Sequence, residues 1–449
     1  MTADTTAVLF LALALVLGVA GVCGAAARRL GQPAVVGEIL AGVLLGSTVL
    51  SQTWGGLGTG PYERAQPLLG ALANVGLALF MFVIGHELDP AFARRSGRTV
   101  LWVAAGAVLL PLGGGVLVAL PYAEEHGPAG PLGFTLFIGV ALSVTAFPVL
   151  ARILSDQKLN HSRVGRIAMA AAGVNDLVAW SCLAVIAALL GTGEAWRLAF
   201  LPVYLGLLTG MVRPLMAGVL RRRARDGAEA GATGAVMVTT ALMASCAATE
   251  WMGVHFAFGA FALGAVMPRA QGGGAAAARP SVFEDLANSA GHLLLPVYFV
   301  IAGTRVDLTA FRAVDLGALA VMSAVAVGTK MAGTRVGAAL GGLPRREARM
   351  LAVLMNTRGL TEVVILTLGL NLGFIDRSFY AILVVVAILT TVMTGPLLRV
   401  RRVRPPDPVP GSAGAPPSGE GLVAGRGTAT GPEAPGGARG GKEVERGAP

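Results

Sequence analysis

A handful of polar side chains sit inside otherwise apolar stretches, where they are unfavourable unless they do something. The stretch "AAGVNDLVAW" carries Asn175 and Asp176 side by side, "AVAVGTKMAGTRVGA" carries Lys330, and "LMNTRGLTEVVI" carries Arg358 and Glu362. An ionised group at the centre of a bilayer is disfavoured by about 3 kcal/mol on insertion scales, so each one marks an ion path, a proton relay or a neutralising partner. A carboxylate such as Asp176 holds either a proton or a small cation. Asn175 beside it forms hydrogen bonds but does not titrate. Glu362 follows Arg358 by four residues, the spacing that brings side chains together along a helix and lets two buried charges neutralise each other. For Asp176 two readings stay open, a fixed bridge to Lys330 or an exchangeable site, and its polar neighbour Asn175 favours the second.

Depth supports treating these charges as one group. Asp176 lies about ten residues beyond Arg166, roughly 15 Å along a helix, which is close to a bilayer midplane. Lys330 and Arg358 lie at similar distances from the basic ends of their own segments.

The elements that hold them carry breaks. In "LSVTAFPVLARIL" Pro148 removes a backbone donor and disfavours helix at Phe147, with Thr145 and Ala146 just before it. In "NTRGLTE" Asn356, Thr357 and Thr361 surround Gly359. Two interrupted helices leave free carbonyls and half-helix dipoles at mid-depth, a setting that suits a small cation and its carboxylate.

The chain has 449 residues, of which 54% are hydrophobic and only 13% charged, a composition that excludes an ordinary soluble enzyme. About thirteen apolar runs are long enough to cross a hydrocarbon core, from Thr5 to Ala27 at one end to Phe379 to Val400 at the other. The runs ending at Met267 and Ala302 are the least regular in length. The formal charge of +10 does not indicate nucleic acid, because its arginines fall in every second connection: Arg28 and Arg29, Arg94 to Arg98, Arg152 to Arg166, and Arg221 to Arg225. Arg269, Arg279, Arg345 to Arg349 and Arg401 to Arg404 keep that parity. The positive-inside rule then places the N-terminus outside and the C-terminus in the cytoplasm. His86, Glu87 and Asp89 fall at a cytoplasmic helix end, Glu250 and His255 at an outer loop, and Glu38 one turn inside the second run. Cys23, Cys182 and Cys246 sit singly in apolar runs and read as small core residues. No phosphate loop, dinucleotide fingerprint or metal-ligand cluster is evident, so no cofactor and no direct ATP coupling is expected.

The organisation is repetitive. "ALFMFVIGHELD" at 78–89 matches "LPVYFVIAGTRVD" at 295–307, and "EILAGVLLG" ending at Gly46 resembles "FAFGAFALG" ending at Gly264. The parity of the runs makes this an inverted repeat, with the seventh helix as linker, an architecture of transporters with a midplane site. From 403 to 449 the chain is Gly- and Pro-rich and predicts a disordered cytoplasmic tail, leaving 1–402 as the membrane domain.

Taken in order, "VVGEILAGVLLG", "SVTAFPVLARIL", "AAGVNDLVAW", "FGAFALGAVMP", Lys330 and "MNTRGLTEVVIL" resemble the monovalent cation:proton antiporter-2 family, relatives of sodium/proton and Kef-type potassium/proton exchangers, over about residues 5 to 400. The resemblance implies an all-α polytopic fold of about thirteen helices with two crossed discontinuous helices, a core and a dimerisation domain, and hence a homodimer in the plasma membrane. It implies Asp176 as the ligand of the transported cation and of the proton, with Asn175 and Thr145 beside it. It places Ala146, Phe147, Pro148, Asn356, Thr357 and Gly359 at the crossing, with Lys330, Arg358 and Glu362 as supporting charge. Some relatives carry two aspartates where this chain has Asn175-Asp176, so a single titrating group predicts electroneutral exchange of Na⁺ or K⁺ for H⁺, provided Lys330 keeps its charge. The alternatives are a channel, an exporter of an organic ion or ion-carrying metabolite, and a Kef-type potassium efflux system, the last disfavoured because the Gly/Pro-rich tail cannot form a nucleotide-binding regulatory domain.

Overall fold

The computed structural model describes residues 3–46, 59–87, 90–191, 195–218, 231–268, 282–304 and 316–400. Asp89, Asp307, Arg221 to Arg225, Arg269, Arg279 and the 403–449 tail lie outside the described residues. Among the described residues there is helix and turn but no strand. This follows from the apolar runs, since a backbone in hydrocarbon must satisfy its own hydrogen bonds.

The helices are α1 (Ala3–Arg29), α2 (Ala34–Leu45), α3 (Thr59–Glu87), α4 (Pro90–Ala119), α5 (Pro131–Ser143), α6 (Phe147–Asp156) and α7 (Arg163–Leu189). After them come α8 (Leu201–Leu207), α9 (Gly231–Trp251), α10 (Phe256–Val266), α11 (Val282–Gly303), α12 (Leu316–Leu340), α13 (Arg345–Leu354), α14 (Leu360–Asn371) and α15 (Arg377–Val400). Among the described residues eight spans are long and apolar enough to cross a membrane, and shorter apolar helices include Ala34–Leu45 and Phe256–Val266. These lengths do not establish a count of thirteen crossings.

Packing sorts the helices into two bundles. One contains α1, α2, α3, α9, α10 and α11, and the other α4 to α7 with α12 to α15, with thinner contacts across the seam from α2 and α3 to α6 and from α11 to α14. The pairings recur with the offset of the sequence repeat: α1 packs on α2 as α9 packs on α10, and α4 packs on α5 as α12 packs on α13.

Glycines allow the closest approaches. A Cβ on Gly106 would strike the Gly333 carbonyl, and one on Gly333 would strike the Gly106 carbonyl, so α4 and α12 touch backbone to backbone. Gly337 lies as close to the Trp102 carbonyl, a Cβ on Gly341 would lie 3.1 Å from the Thr99 Cα, and the hydroxyl of Thr99 donates to the Gly341 carbonyl at 2.9 Å. Gly333, Gly337 and Gly341 recur every fourth residue, the small-residue spacing by which membrane helices pack without a hydrophobic driving force. This contact fixes α12, and with it Lys330, against α4 within the second bundle.

Candidate functional site

The site is built where two interrupted helices meet. The end of α5 at Ser143 is followed by extended backbone at Val144 and Ala146, and α6 starts at Phe147 with Pro148 in its first turn. Proline is favoured there because its N–H would be unpaired in any case. Pro148 therefore begins the second half-helix, and the interruption itself falls at residues 144–146. In the partner segment α13 ends at Leu354, α14 begins at Leu360, and residues 355–359 form the link. The two links are joined directly: the Ala146 amide donates to the Thr357 carbonyl at 3.1 Å, and the Thr145 hydroxyl donates to the Met355 carbonyl at 3.1 Å. Gly359 is confined by sterics, since a Cβ would lie 2.6 Å from Cγ2 of Val149.

The open C-terminus of α5 is covered by two cations. Arg358 donates through Nη1 to the Ala141 carbonyl at 3.0 Å and through Nη2 to the Leu142 carbonyl, and Lys330 donates to the Ser143 carbonyl. The last carbonyls of a helix lack intrahelical partners and carry the negative end of its dipole, so fixed positive charge satisfies both needs. Arg358 also contacts Oε1 of Glu362 at 2.7 Å, with both side chains fully buried. Arg358 stands in the link and Glu362 in the first turn of α14, so this pair spans a helix start, whereas the four-residue spacing alone suggested two neighbours on one continuous helix. The hydroxyl of Thr391 on α15 donates to the Arg358 carbonyl at 2.5 Å and holds the link from behind.

Asn175 and Asp176, both buried near the middle of α7, do different things. The Asn175 amide lies 3.2 Å from the Thr145 hydroxyl. Turned over, its nitrogen donates to the carbonyls of Ala171 and Ala104 at 3.3 and 3.2 Å and its oxygen faces Thr145. In either orientation it braces the α5–α6 link against α7. Asp176 has no such anchor, and its Oδ1 is buried without a hydrogen-bond partner. Lys330 interacts with it electrostatically, yet among the described residues no ion pair joins the two, because the ammonium is directed at Ser143. Phe147 closes the site toward the first bundle, stacking edge-on against Phe261 of α10 with ring centroids 4.7 Å apart.

Further polar groups lie along the seam. Glu38, one turn into α2, is buried and faces Arg152 of α6 at 3.6 Å, and Arg152 lies 3.4 Å from Asp156. Asn160 donates to Glu87 at 3.3 Å, and a recess lined by Ile84, Glu87, Asn160, Arg166 and Met169 opens there. Met169 is about two turns from Asp176 on α7. His255, expected at a solvated loop, is buried instead: it caps α10 by accepting from the Ala257 amide at 3.3 Å, with its ring against Phe256 and Trp180. Between α4 and α5 a short helix, Ala123–His126, ends at His126, which lies 2.7 Å from Asp376 in the α14–α15 connection, and Asp376 also accepts from the Phe379 amide in the first turn of α15. Sequence reasoning missed the Glu38–Arg152 and His126–Asp376 pairs, since contacts between distant segments leave no local spacing to read. It also missed the glycine seam, for which the four-residue spacing after Gly333 was a usable signal.

Residues 11–400 match the family model "Sodium/hydrogen exchanger, transmembrane". The chain is similar to the Na⁺/H⁺ antiporter NhaS4 of Synechocystis, 32% identical over 415 residues, covering 89% of this chain and 98% of that protein. It is 36% identical over 379 residues to cation/H⁺ antiporter 19 of Arabidopsis thaliana and 33% identical over 386 residues to K⁺/H⁺ antiporter 1 of Saccharomyces cerevisiae. These alignments take in 83% and 82% of this chain but 46% and 43% of the plant and yeast proteins, so the chain spans about half their length. Among solved structures, the sodium proton antiporter MjNhaP1 of Methanocaldococcus jannaschii aligns with a TM-score of 0.58 at 14% identity, over 88% of this chain and 97% of that one, a likeness of fold.

Proposed function

The chain belongs to the sodium/hydrogen exchanger family, and we propose that it is a secondary antiporter exchanging Na⁺ or K⁺ for protons through competition at Asp176. The observation that carries this reading is the contrast among the buried charges. Arg358 and Glu362 are paired, Lys330 is bound to a helix-end carbonyl, and among the described residues at the crossing Asp176 is the carboxylate that no ion pair holds, its buried Oδ1 lacking a hydrogen-bond partner as Oε2 of the paired Glu362 does. A carboxylate in that state binds a proton or a cation, and the two exclude each other.

The fixed charges set up the competition. Lys330 and Arg358 cover the α5 carbonyls, so positive charge stays at the crossing whether Asp176 is loaded or not. A neutral complex, either protonated Asp176 or Asp176 with one monovalent cation, is then carried between access states, while the bare carboxylate is not. Asn175 does not titrate, which supports one-for-one electroneutral exchange. Entry from the basic side of the membrane is supported by the recess near Met169. The seam contacts from Glu38 and Asn160 lie where the two bundles would move past each other.

In this reading residues 1–402 form the exchanger, 403–449 an accessory cytoplasmic tail, and the N-terminus faces outward from the plasma membrane. The exposed apolar side chains of α1, among them Phe10, Leu11 and Val22, contact lipid or a second copy in a homodimer. The test is proton flux in vesicles on addition of Na⁺, K⁺ or Li⁺ at several pH values. Competition predicts that the half-saturating cation concentration rises as pH falls at unchanged maximal rate. A half-saturation that does not move with pH would contradict it.

A further inference from the structure

We propose that the carboxamide of Asn356 is a direct ligand of the transported cation, completing with the Asp176 carboxylate an oxygen site whose amide component sets the preference among alkali ions. This rests on the reading of Asp176 given above and goes beyond it by naming a second ligand and what it decides.

Asn356 is fully buried, and neither its Oδ1 nor its Nδ2 has a hydrogen-bond partner. A carboxamide offers two donors and an acceptor, and leaving such a group buried and unpaired destabilises a protein by about 1 to 3 kcal/mol. Nearby backbone is accounted for. The Asn356 amide donates to the Val353 carbonyl at 3.2 Å, the Met355 carbonyl accepts from Thr145, and the Thr357 carbonyl accepts from Ala146. The backbone is thus pinned on both sides of Asn356, while its side chain is left with unmet capacity. Simple strain relief would not retain an amide here, because an isosteric leucine would fill the same apolar volume with no polar atoms to satisfy.

The placement points to the ion. Thr145 bonds Met355 and contacts Asn175, so Asn356 and Asp176 are the next residues after the two ends of that bridge. Asp176 Oδ1 is likewise unpartnered, as is the hydroxyl of the almost fully buried Thr361 in the first turn of α14. The charged ends of the cationic groups nearby are engaged, both Nη atoms of Arg358 by two carbonyls and Glu362 and the ammonium of Lys330 by Ser143, while Nε of Arg358 has no partner. Among the described residues, the oxygens left open at the crossing are those of Asp176, Asn356 and Thr361 together with Oε2 of the Arg358-paired Glu362, a carboxylate, amide and hydroxyl set of the kind that hard cations take. With Glu362 neutralised by Arg358 and Asp176 the one carboxylate there without an ion pair, the neutral oxygens decide how well ions of different size replace their water, so Asn356 tunes selectivity while Asp176 supplies the charge.

The test uses the full-length protein in proteoliposomes, with proton flux driven by Li⁺, Na⁺ or K⁺, and cation-induced thermal stabilisation of the purified protein as a second readout. Asn356→Leu, which keeps the volume, is expected to raise the half-saturating concentration of the preferred cation by about tenfold, equivalent to about 1.4 kcal/mol, and to change the order or spread among the three ions. Asn356→Gln, which retains an amide oxygen, is expected to recover part of the affinity. Unchanged half-saturation and unchanged ion order in a folded Asn356→Leu protein would overturn the assignment, as would equal loss for all three ions with wild-type thermal stabilisation by each. Should Asn356→Leu fail to fold, Asn356→Ser and Asn356→Gln carry the same comparison. An Asp176→Asn control separates the two levels. If it abolishes exchange while the Asn356 variants behave as wild type, only the ligand assignment fails. If Asp176→Asn exchanges normally, the underlying reading fails.

Discussion

Replacing Arg358 by methionine tests whether the crossing is held by the charges that cover it. The side chain is fully buried and makes three contacts, to Glu362 and to the carbonyls of Ala141 and Leu142. Removing it strands the Glu362 carboxylate, a loss of about 3 to 5 kcal/mol for breaking a buried pair from one side. Uncovering two helix-end carbonyls adds about 1 to 3 kcal/mol for each one that finds no other partner. Arg358→Met is therefore expected to lose at least about 3 kcal/mol, a large share of a typical domain stability. In Glu362→Gln the guanidinium keeps its two carbonyls, so the loss should be smaller, about 1 to 3 kcal/mol. The double change Arg358→Met with Glu362→Leu removes the stranded carboxylate and should unfold less readily than Arg358→Met alone. Unfolding of the wild type, Arg358→Met, Glu362→Leu and the double variant in one detergent, followed by tryptophan fluorescence with a chemical denaturant series, gives the closed cycle, with Glu362→Gln measured alongside. Additive losses, or an Arg358→Met protein as stable as the parent, would refute the claim that this network holds the link.

Other consequences follow from the same geometry. Gly333→Leu should block assembly of α4 on α12 and abolish expression of folded protein, whereas alanine at the exposed Gly328 of the same helix, where a Cβ meets nothing, should be tolerated; size-exclusion profiles in detergent distinguish them. Thr145→Val removes the bridge between Met355 and Asn175 and should lower exchange several-fold, with Thr145→Ser restoring most of it. With Lys330 held at Ser143 as fixed charge, the exchange rate in proteoliposomes should not respond to a potassium/valinomycin clamp of the membrane potential, and a rate that changes with voltage would mean that Lys330 releases its proton during the cycle.

How far the sequence could be read depended on whether a feature was local. The apolar runs carried the helical fold because burial of a spanning backbone leaves few other solutions. The interruptions were visible at Pro148 and Gly359, although the position of the first was shifted, since Pro148 starts α6 and the extended residues precede it. Arg358 and Glu362 could be paired from their spacing, but the carbonyls that Arg358 and Lys330 cover belong to α5, nearly two hundred residues away from Lys330, and no local pattern encodes them. The same holds for Asn175, whose role as a brace on Thr145 depends on how α7 packs against the link. His255 misled because a loop position near a helix start looks solvated until the helix it caps is packed against α7.

The central claim is that Asp176 is the group for which proton and cation compete. Purified protein in proteoliposomes with a trapped pH-sensitive dye, challenged with Na⁺ and with K⁺, tests it in one comparison of wild type with Asp176→Asn. The account predicts cation-driven proton flux in the wild type and none above protein-free vesicles in a variant that folds and reconstitutes equally well. Flux in Asp176→Asn equal to that of the wild type would contradict it.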